Sequence, residues 1–407
     1  FIPATLLLFC GVVVSSWNTI TSRPRLYYSL LLLLASSILG IFMALDTVLF
    51  FLFWELSLIP IYFLIALWGI GPNRRAAANQ YTMIMFAGGT PILFGLLLAA
   101  FHYGDVANGG GLLFDYTQMV TTTLPIELQS GIFFLFLLGF AFKTPLFPLH
   151  TWLPNVTMEG PIAIAAIMTG LKLGAYGLIR FAIPLAPEIA QHYHWLLAGV
   201  GVVALLYGGV AAINQTNLRQ MLGYASISHV GLVVLGLSSF NLMGIEGAIF
   251  QMINFSLISA ALFFLVGAIH HRTGSTDATN LGGVTTSMPL LSAFLFLFGF
   301  ASLGVPPTSG FVAEFLLLMS ALQSHTGAGL AALFAIILGA AYLISAFRKS
   351  LFGGIRNPAV ADAVDLLPRE IRMISVLAVL VLLLGIMPSL LLDLVETSAT
   401  DWVNRLQ

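Results

Sequence analysis

Charge is what this chain has least of. Of its 407 residues, 8% are Asp, Glu, Lys or Arg, where a soluble protein carries roughly 25%. The net charge of −1 leaves no basic face to neutralise phosphates, which excludes nucleic acid as a partner. Cysteine is nearly absent as well: Cys10 stands alone, so there is no internal disulfide and no thiolate cluster for zinc or iron–sulfur. No glycine-rich phosphate loop joins a strand to a helix, and the glycines at 109–111 sit in a polar loop. His192 with His194, and His270 with His271, fall in predicted loops beside membrane ends, without further ligands at metal spacing. No metal site and no redox cofactor is expected within the chain.

What fills the sequence instead is apolar: 59% of the residues are hydrophobic. Runs near the ~20 residues needed to cross a bilayer recur along the whole length, and no polar stretch is large enough to fold as a soluble domain. These features describe an all-α, multi-pass integral membrane protein with one membrane domain over 1–407, bathed in lipid. The chain opens with Phe1 inside an apolar run rather than with Met and a basic leader, so its natural beginning is expected to be missing.

Twelve spans can be drawn, at 1–15, 27–44, 47–69, 80–101, 131–158, 162–181, 195–213, 221–239, 244–269, 286–323, 329–347 and 371–392. Two are too long for one straight helix. The first contains Pro148 and Pro154, the second contains GVPPTSG with Pro306 and Pro307, and each reads as a span broken into half-helices at these prolines. Counting each as a single crossing puts eleven of the fifteen Lys and Arg on one face and only Arg180 and Arg405 on the other, as the positive-inside rule requires. The broken spans are the fifth and tenth, each the fourth member of a run of five. An odd number of crossings inverts the second run (195–347) relative to the first (27–181), and 371–392 adds one further helix. Paired broken helices in inverted repeats are the layout of a secondary transporter, with its ion site near the midplane.

Few ionisable groups remain inside the spans: Glu55, Lys143, Lys172, His229 and Glu314. Lys143 and Glu314, near the breaks, have snorkelling to the headgroups as their bland reading, and His229 has a neutral, hydrogen-bonded role. Together they have a joint use. Burial disfavours the charged form of a lysine and a nearby carboxylate favours it, so moving either partner or admitting water switches proton binding. Glu55 and Lys143 form the natural pair of the first repeat, Lys172 is the next acceptor, and His229 and Glu314 continue the path. Carbonyls freed at Pro148 and at Pro306–Pro307 would hold the water that such a relay needs.

The segments FLFWELSLIPIYFLIALWG, KTPLFPLHTWLP, LKLGAYGLIRF, YASISHVGLV and PPTSGFVAEF occur in that order. They resemble the antiporter-like subunit 4 family of respiratory complex I, also called the M subunit or NAD(P)H-quinone oxidoreductase chain 4, over almost the entire chain. The resemblance implies fourteen helices, two of them N-terminal and absent here. It further implies a functional Glu55–Lys143 pair, Lys172 as central lysine, His229 as first central histidine and Glu314 as the end of the path. Quinone, NAD(P)H or ferredoxin and iron–sulfur clusters are then expected in partner subunits, with other membrane-arm subunits, including antiporter-like homologues, as partners. Two departures stand out. The family's second central histidine is replaced by Phe255, next to Asn254, and WLPDAH reads WLPNVT, with Asn155 and Thr157. The phrases SRPRLYY, FPLHTWLP and LLPREI look closest to the cyanobacterial and chloroplast version, which implies a thylakoid rather than a bacterial inner or organellar membrane. The departures suit a paralogue tied to carbon dioxide uptake.

Three functions compete. The leading one is a redox-driven proton pump subunit, a translocase with no redox chemistry of its own. Beside it stand a subunit of a multisubunit cation/proton antiporter and a scaffold paralogue that no longer pumps.

Overall fold

The computed structural model describes residues 1–108, 110–122 and 124–406. Secondary structure among them is helical, with two isolated β-bridges and no strand. In the first half, α1 (Ile2–Ser16), α2 (Pro24–Met43), α3 (Thr47–Leu56) and α4 (Leu58–Trp68) precede the long α5 (Arg74–Asn108) and the short α6 (Tyr116–Thr121). Then follow α7 (Ile126–Lys143), α8 (Trp152–Glu159), α9 (Ile162–Gly170), α10 (Leu173–Gly177) with a π-turn at Leu178–Ala182, and α11 (Pro187–His192). The second half holds α12 (His194–Ile213), α13 (Leu218–Leu237), α14 (Leu242–Thr273), α15 (Ala278–Leu281), α16 (Val284–Ser287), α17 (Pro289–Ser302), α18 (Ser309–Ser324) and α19 (Thr326–Ser350). The chain ends in α20 (Pro358–Ala361), α21 (Pro368–Ile386) and α22 (Ser389–Asn404).

Each of the twelve expected spans has its helix or broken pair in this order. Among the described residues, nine helical segments are long and apolar enough to cross a membrane, and the bent pair α21 and α22 makes up to ten; α1, α17 and α18 are shorter apolar helices of 10–17 residues. The expectation of 371–392 as one straight helix is corrected, because α21 stops before Pro388 and α22 leaves it at 67°. Proline there removes a backbone donor and clashes with the preceding turn.

Both expected breaks exist. Between α7 and α8 the chain turns at 144–151, and between α17 and α18 at 303–308. At each, a backbone N–H reaches five residues back, Leu146 to Ala141 (3.1 Å) and Val305 to Phe300 (3.1 Å). Phe147–Pro148 and Pro306–Pro307 are cis peptide bonds. Pro154 is not a break: it lies in the first turn of α8, where its missing N–H would be unpaired in any case. A third break was not expected. Lys172 leaves helical geometry at φ −94° and ψ 57°, between α9 and α10, although 162–181 reads as one straight span. Its glycine neighbours allow this. A Cβ on Gly174 would lie 2.1 Å from Thr144 Oγ1, so α10 packs onto the end of α7 at backbone distance.

The two isolated bridges are equivalent to one another. Asp46 pairs with Asp115, joining the start of α3 to the start of α6, and Asn217 pairs with Asp277, joining the start of α13 to the start of α15. Thr47 N–H donates to Phe114 O and Leu218 N–H to Thr276 O, both at 2.9 Å. All four residues are also side-chain caps, Asp115 accepting from Thr117 N (2.8 Å) and Asp277 from Thr279 N (2.8 Å). The hydroxyls of Thr117 and Thr279 add a second bond each, and the Thr117 hydroxyl and N–H hold the Asp115 carboxyl below its ordinary range. Asp277→Ala should therefore lower stability by about 1 kcal/mol, the worth of a helix cap. A smaller or absent shift of the unfolding midpoint in detergent would show that the bridge is held by its backbone bonds alone.

Candidate functional site

Lys143 is the last residue of α7, and the break that follows leaves its side chain directed at α3 and α4. It is buried, its ammonium donates to Ser57 Oγ at 3.0 Å, and it stands 4.1 Å from the centroid of the Trp54 ring. Ser57 is the residue at which α3 gives way to α4, and its hydroxyl donates to Trp54 O at 2.7 Å. Glu55 lies between these two contacts in sequence but faces elsewhere. Its carboxylate rests against Gly89 of α5, where a Cβ would come within 2.0 Å of Oε1, and that oxygen is buried without a hydrogen-bond partner. Among the described residues the ion pairs within 4.0 Å are His229–Glu314 and Arg272–Glu370, so Glu55 and Lys143 share a neighbourhood without touching.

Lys172 sits where the backbone breaks. Its ammonium donates to Ser226 Oγ of α13 and lies 5.1 Å from the Phe255 ring centroid of α14. Carbonyls that the break releases are taken by hydroxyls from the same two helices: Ser256 Oγ donates to Gly170 O (3.1 Å) and Ser226 Oγ to Thr169 O (3.4 Å). Serine side chains thus replace the missing turn of helix.

The Phe255 ring is a neighbour of both Lys172 and His229. Its centroid is 4.3 Å from that of the His229 imidazole, with the planes 39° apart. His229 Nδ1 is 3.5 Å from Glu314 Oε1, and His229 Nε2 is buried with no partner. Glu314 is in the second turn of α18, brought inward by the break at 303–308. Its Oε2 lies beside Gly304, whose φ of +64° belongs to the turn. A cavity of about 30 Å³, room for a water or two, is lined by Ser228, His229, Ser302, Glu314 and Tyr342. Next to Phe255, Asn254 accepts a hydrogen bond from Ser309 Oγ (2.5 Å) and donates to Gln251 Oε1 (3.0 Å), all three side chains being buried.

The other two departures have partners of their own. Asn155 is exposed and donates to Gln80 Oε1 at 2.8 Å, so the acid it replaces would stand at the surface of the bundle and not beside Lys143. Thr157 is buried, donates to Pro154 O (2.9 Å), and packs on Gly223 of α13. His150, inside the break that follows Lys143, is buried against Tyr207 (4.7 Å between centroids), and its Nδ1 has no partner. Arg219, expected in a loop, is buried at the start of α13 and donates to Gly160 O at 2.5 Å. No group of three or more His, Cys, Asp or Glu is placed to hold a metal ion among the described residues.

This layout of ionisable groups at helix breaks has relatives. The sequence profile of the NADH:quinone oxidoreductase/Mrp antiporter transmembrane family matches residues 44–339, from the start of α3 into α19. The chain belongs to this family. It is 34% identical over 405 residues to NADH-quinone oxidoreductase subunit M of Rickettsia typhi, covering 98% of this chain and 80% of the relative. To NAD(P)H-quinone oxidoreductase chain 4 1 of Synechococcus sp. it is 37% identical over 390 residues, covering 93% and 72%. A chain in the structure of respiratory complex I from Thermus thermophilus with bound NADH superposes with a TM-score of 0.91 at 30% identity, over 99% of this chain and 84% of that one. The Mrp complex from Dietzia contains a chain of the same fold, with a TM-score of 0.84 at 21% identity over 99% and 84%.

Within a member of this family, Ser57, Trp54, Gly89 and Ser226 are the contacts that sequence reading passed over. Only Gly89 left a signal, the pair Gly88–Gly89 in the middle of a helix, where glycine costs about 1 kcal/mol and so calls for a reason. The reason is the Glu55 carboxylate. Gly89→Ala is expected to displace it, costing about 1–3 kcal/mol by overpacking, read as a lower unfolding midpoint in detergent. Gly199→Ala, at a helical position with open space, is the control and should change neither the unfolding midpoint nor transport.

Proposed function

We propose that this chain is the proton-translocating membrane-arm subunit of an NAD(P)H- or ferredoxin-driven quinone oxidoreductase. The observation that carries the reading is the cluster of Lys172 at the α9–α10 break, Phe255 of α14, His229 of α13 and Glu314 just beyond the α17–α18 break, successive neighbours inside the bundle. Family membership supplies the class of complex. In this reading Lys143 and Glu55 exchange a proton through a small movement of either side chain, Lys172 receives it across the break, and His229 passes it to Glu314. The redox centres, the nicotinamide or ferredoxin site and the quinone site belong to partner subunits, and the membrane-arm partners include antiporter-like homologues. The chain then acts as the translocase of the complex, driven by redox chemistry elsewhere. Its 37% identity to the Synechococcus chain, with SRPRLYY and LLPREI, supports a thylakoid membrane and plastoquinone. Fractionation that finds the chain in the plasma membrane instead would remove that assignment.

The test is proton movement in proteoliposomes containing the whole complex. Lys143→Met and Glu55→Gln should each assemble, keep quinone reduction, and lose most proton translocation. Unchanged translocation would turn the chain into a scaffold, and a purified complex made of antiporter subunits alone would turn it into a cation/proton antiporter. Phe255→Leu separates the second half of the route. Loss of the aromatic face removes about 1 kcal/mol of cation–π stabilisation from Lys172, roughly fivefold in a rate. A translocation rate that does not change would place the exit elsewhere than across Phe255.

A further inference from the structure

We propose that a cavity at the basic face of the bundle binds the phosphate headgroup of one anionic phospholipid. The cavity is about 690 Å³ and lies where the end of α1, the α4–α5 turn, the start of α9, the end of α14 and the start of α21 converge. All of these ends fall on the face that carries eleven of the fifteen basic residues, so the cavity is at headgroup depth. Its charge is unbalanced. Arg74, Arg272 and Arg369 line it together with the single carboxylate Glu370, and that carboxylate is already spent on Arg272 at 2.5 Å. Arg74 and Arg369 are left facing a space with no acidic partner. Two nitrogens in the lining, His270 Nδ1 and the Arg369 Nε donor, are buried without any hydrogen-bond partner in the protein, a cost of about 1–3 kcal/mol each unless something fills it.

The rest of the lining fits a lipid better than a free anion. Phe264, Leu265, Met373 and Ile162 give the cavity an apolar wall that a bare phosphate would leave wet, whereas an acyl chain covers it. Trp68 and Tyr27 meet edge to face at 5.3 Å in the lining, the aromatic pairing of a membrane interface. A phosphodiester supplies one negative charge and acceptor oxygens for the arginines, and basic pockets between helices on this face hold such headgroups in membrane proteins generally. The inference does not depend on proton transport through Lys143 or Lys172.

Native mass spectrometry of the whole complex decides it, with phosphatidylglycerol and phosphatidylcholine of identical acyl chains added in separate arms and inorganic phosphate in a third. One phosphatidylglycerol should remain on this chain through delipidation, with occupancy falling at least tenfold in Arg74→Gln/Arg369→Gln and staying in Arg369→Lys. Arg348→Gln, exposed at the same face but outside the cavity, should retain the lipid. Equal retention of phosphatidylcholine, unchanged retention in the double variant, or retention of phosphate without lipid would each overturn the proposal. Should the double variant fail to assemble, salt replaces it. Occupancy on the unmodified complex that is the same at about 0.05 M and about 0.5 M salt would overturn the headgroup contact, since charge pairing at the surface is screened over that range.

Discussion

A polar backbone atom released inside hydrocarbon must find a partner within the protein, and that constraint organises the centre of this bundle. At the break after α7, the carbonyl of Phe142 accepts from the Trp152 indole at 2.9 Å. At the break around Lys172, the carbonyls of Gly170 and Thr169 accept from Ser256 and Ser226. Left alone, each would cost about 1–3 kcal/mol. The partners do double duty. Ser226 both caps the break and receives the Lys172 ammonium, and Ser57, which joins α3 to α4, receives that of Lys143. A charge in the membrane and a broken helix are two penalties with one set of compensating groups, which is why they occur together.

The same logic reaches outward through the two bridges. α3 carries Glu55 and α13 carries Ser226 and His229, and the first residue of each is clamped to a short helix that leads into a broken span. In the first half the clamp is Asp46 with Asp115, in the second Asn217 with Asp277. The helix that presents an ionisable group and the helix that breaks beside it are thus fixed to one another at their ends. Arg180 adds a further tie: its guanidinium donates to Phe42 O (3.3 Å) and Ala44 O (2.7 Å), where α2 ends and its carbonyls are unpaired.

How much of this could be read from the chain depends on which residues announce themselves. Apolar runs and the prolines at 148, 306 and 307 made the spans and two of the breaks legible, because proline removes a donor wherever it stands. Pro154 was over-read, since a proline three residues into a helix replaces nothing. Lys172 was under-read, because its break is made by Gly170 and Gly174 and by serines on other helices, and glycine within an apolar run announces no particular geometry. Pro388, inside an expected straight span, marked the 67° bend and was passed over. The five ionisable groups were legible as scarce charges in oil. That Glu55 rests on Gly89 while Lys143 rests on Ser57 was not, because Glu55 and Ser57 stand on either side of the α3–α4 junction and nothing in local sequence says which of them meets α7.

Phe255 shows how far a single side chain can shape the interior. An aromatic ring attracts an ammonium with its face, here at 5.1 Å, yet has neither a lone pair nor an N–H with which to receive or donate a proton. The ring also packs against the imidazole of His229, with centroids 4.3 Å apart. The row beside it, Gln251, Asn254 and Ser309, offers amides and a hydroxyl that orient water well and hold a proton poorly. On the proposed route the proton therefore cannot hop through position 255, and crosses only when water reaches from Ser226 to the unpaired Nε2 of His229. At position 255 the side chain thus contributes packing and an attractive face for the lysine, and no group that titrates.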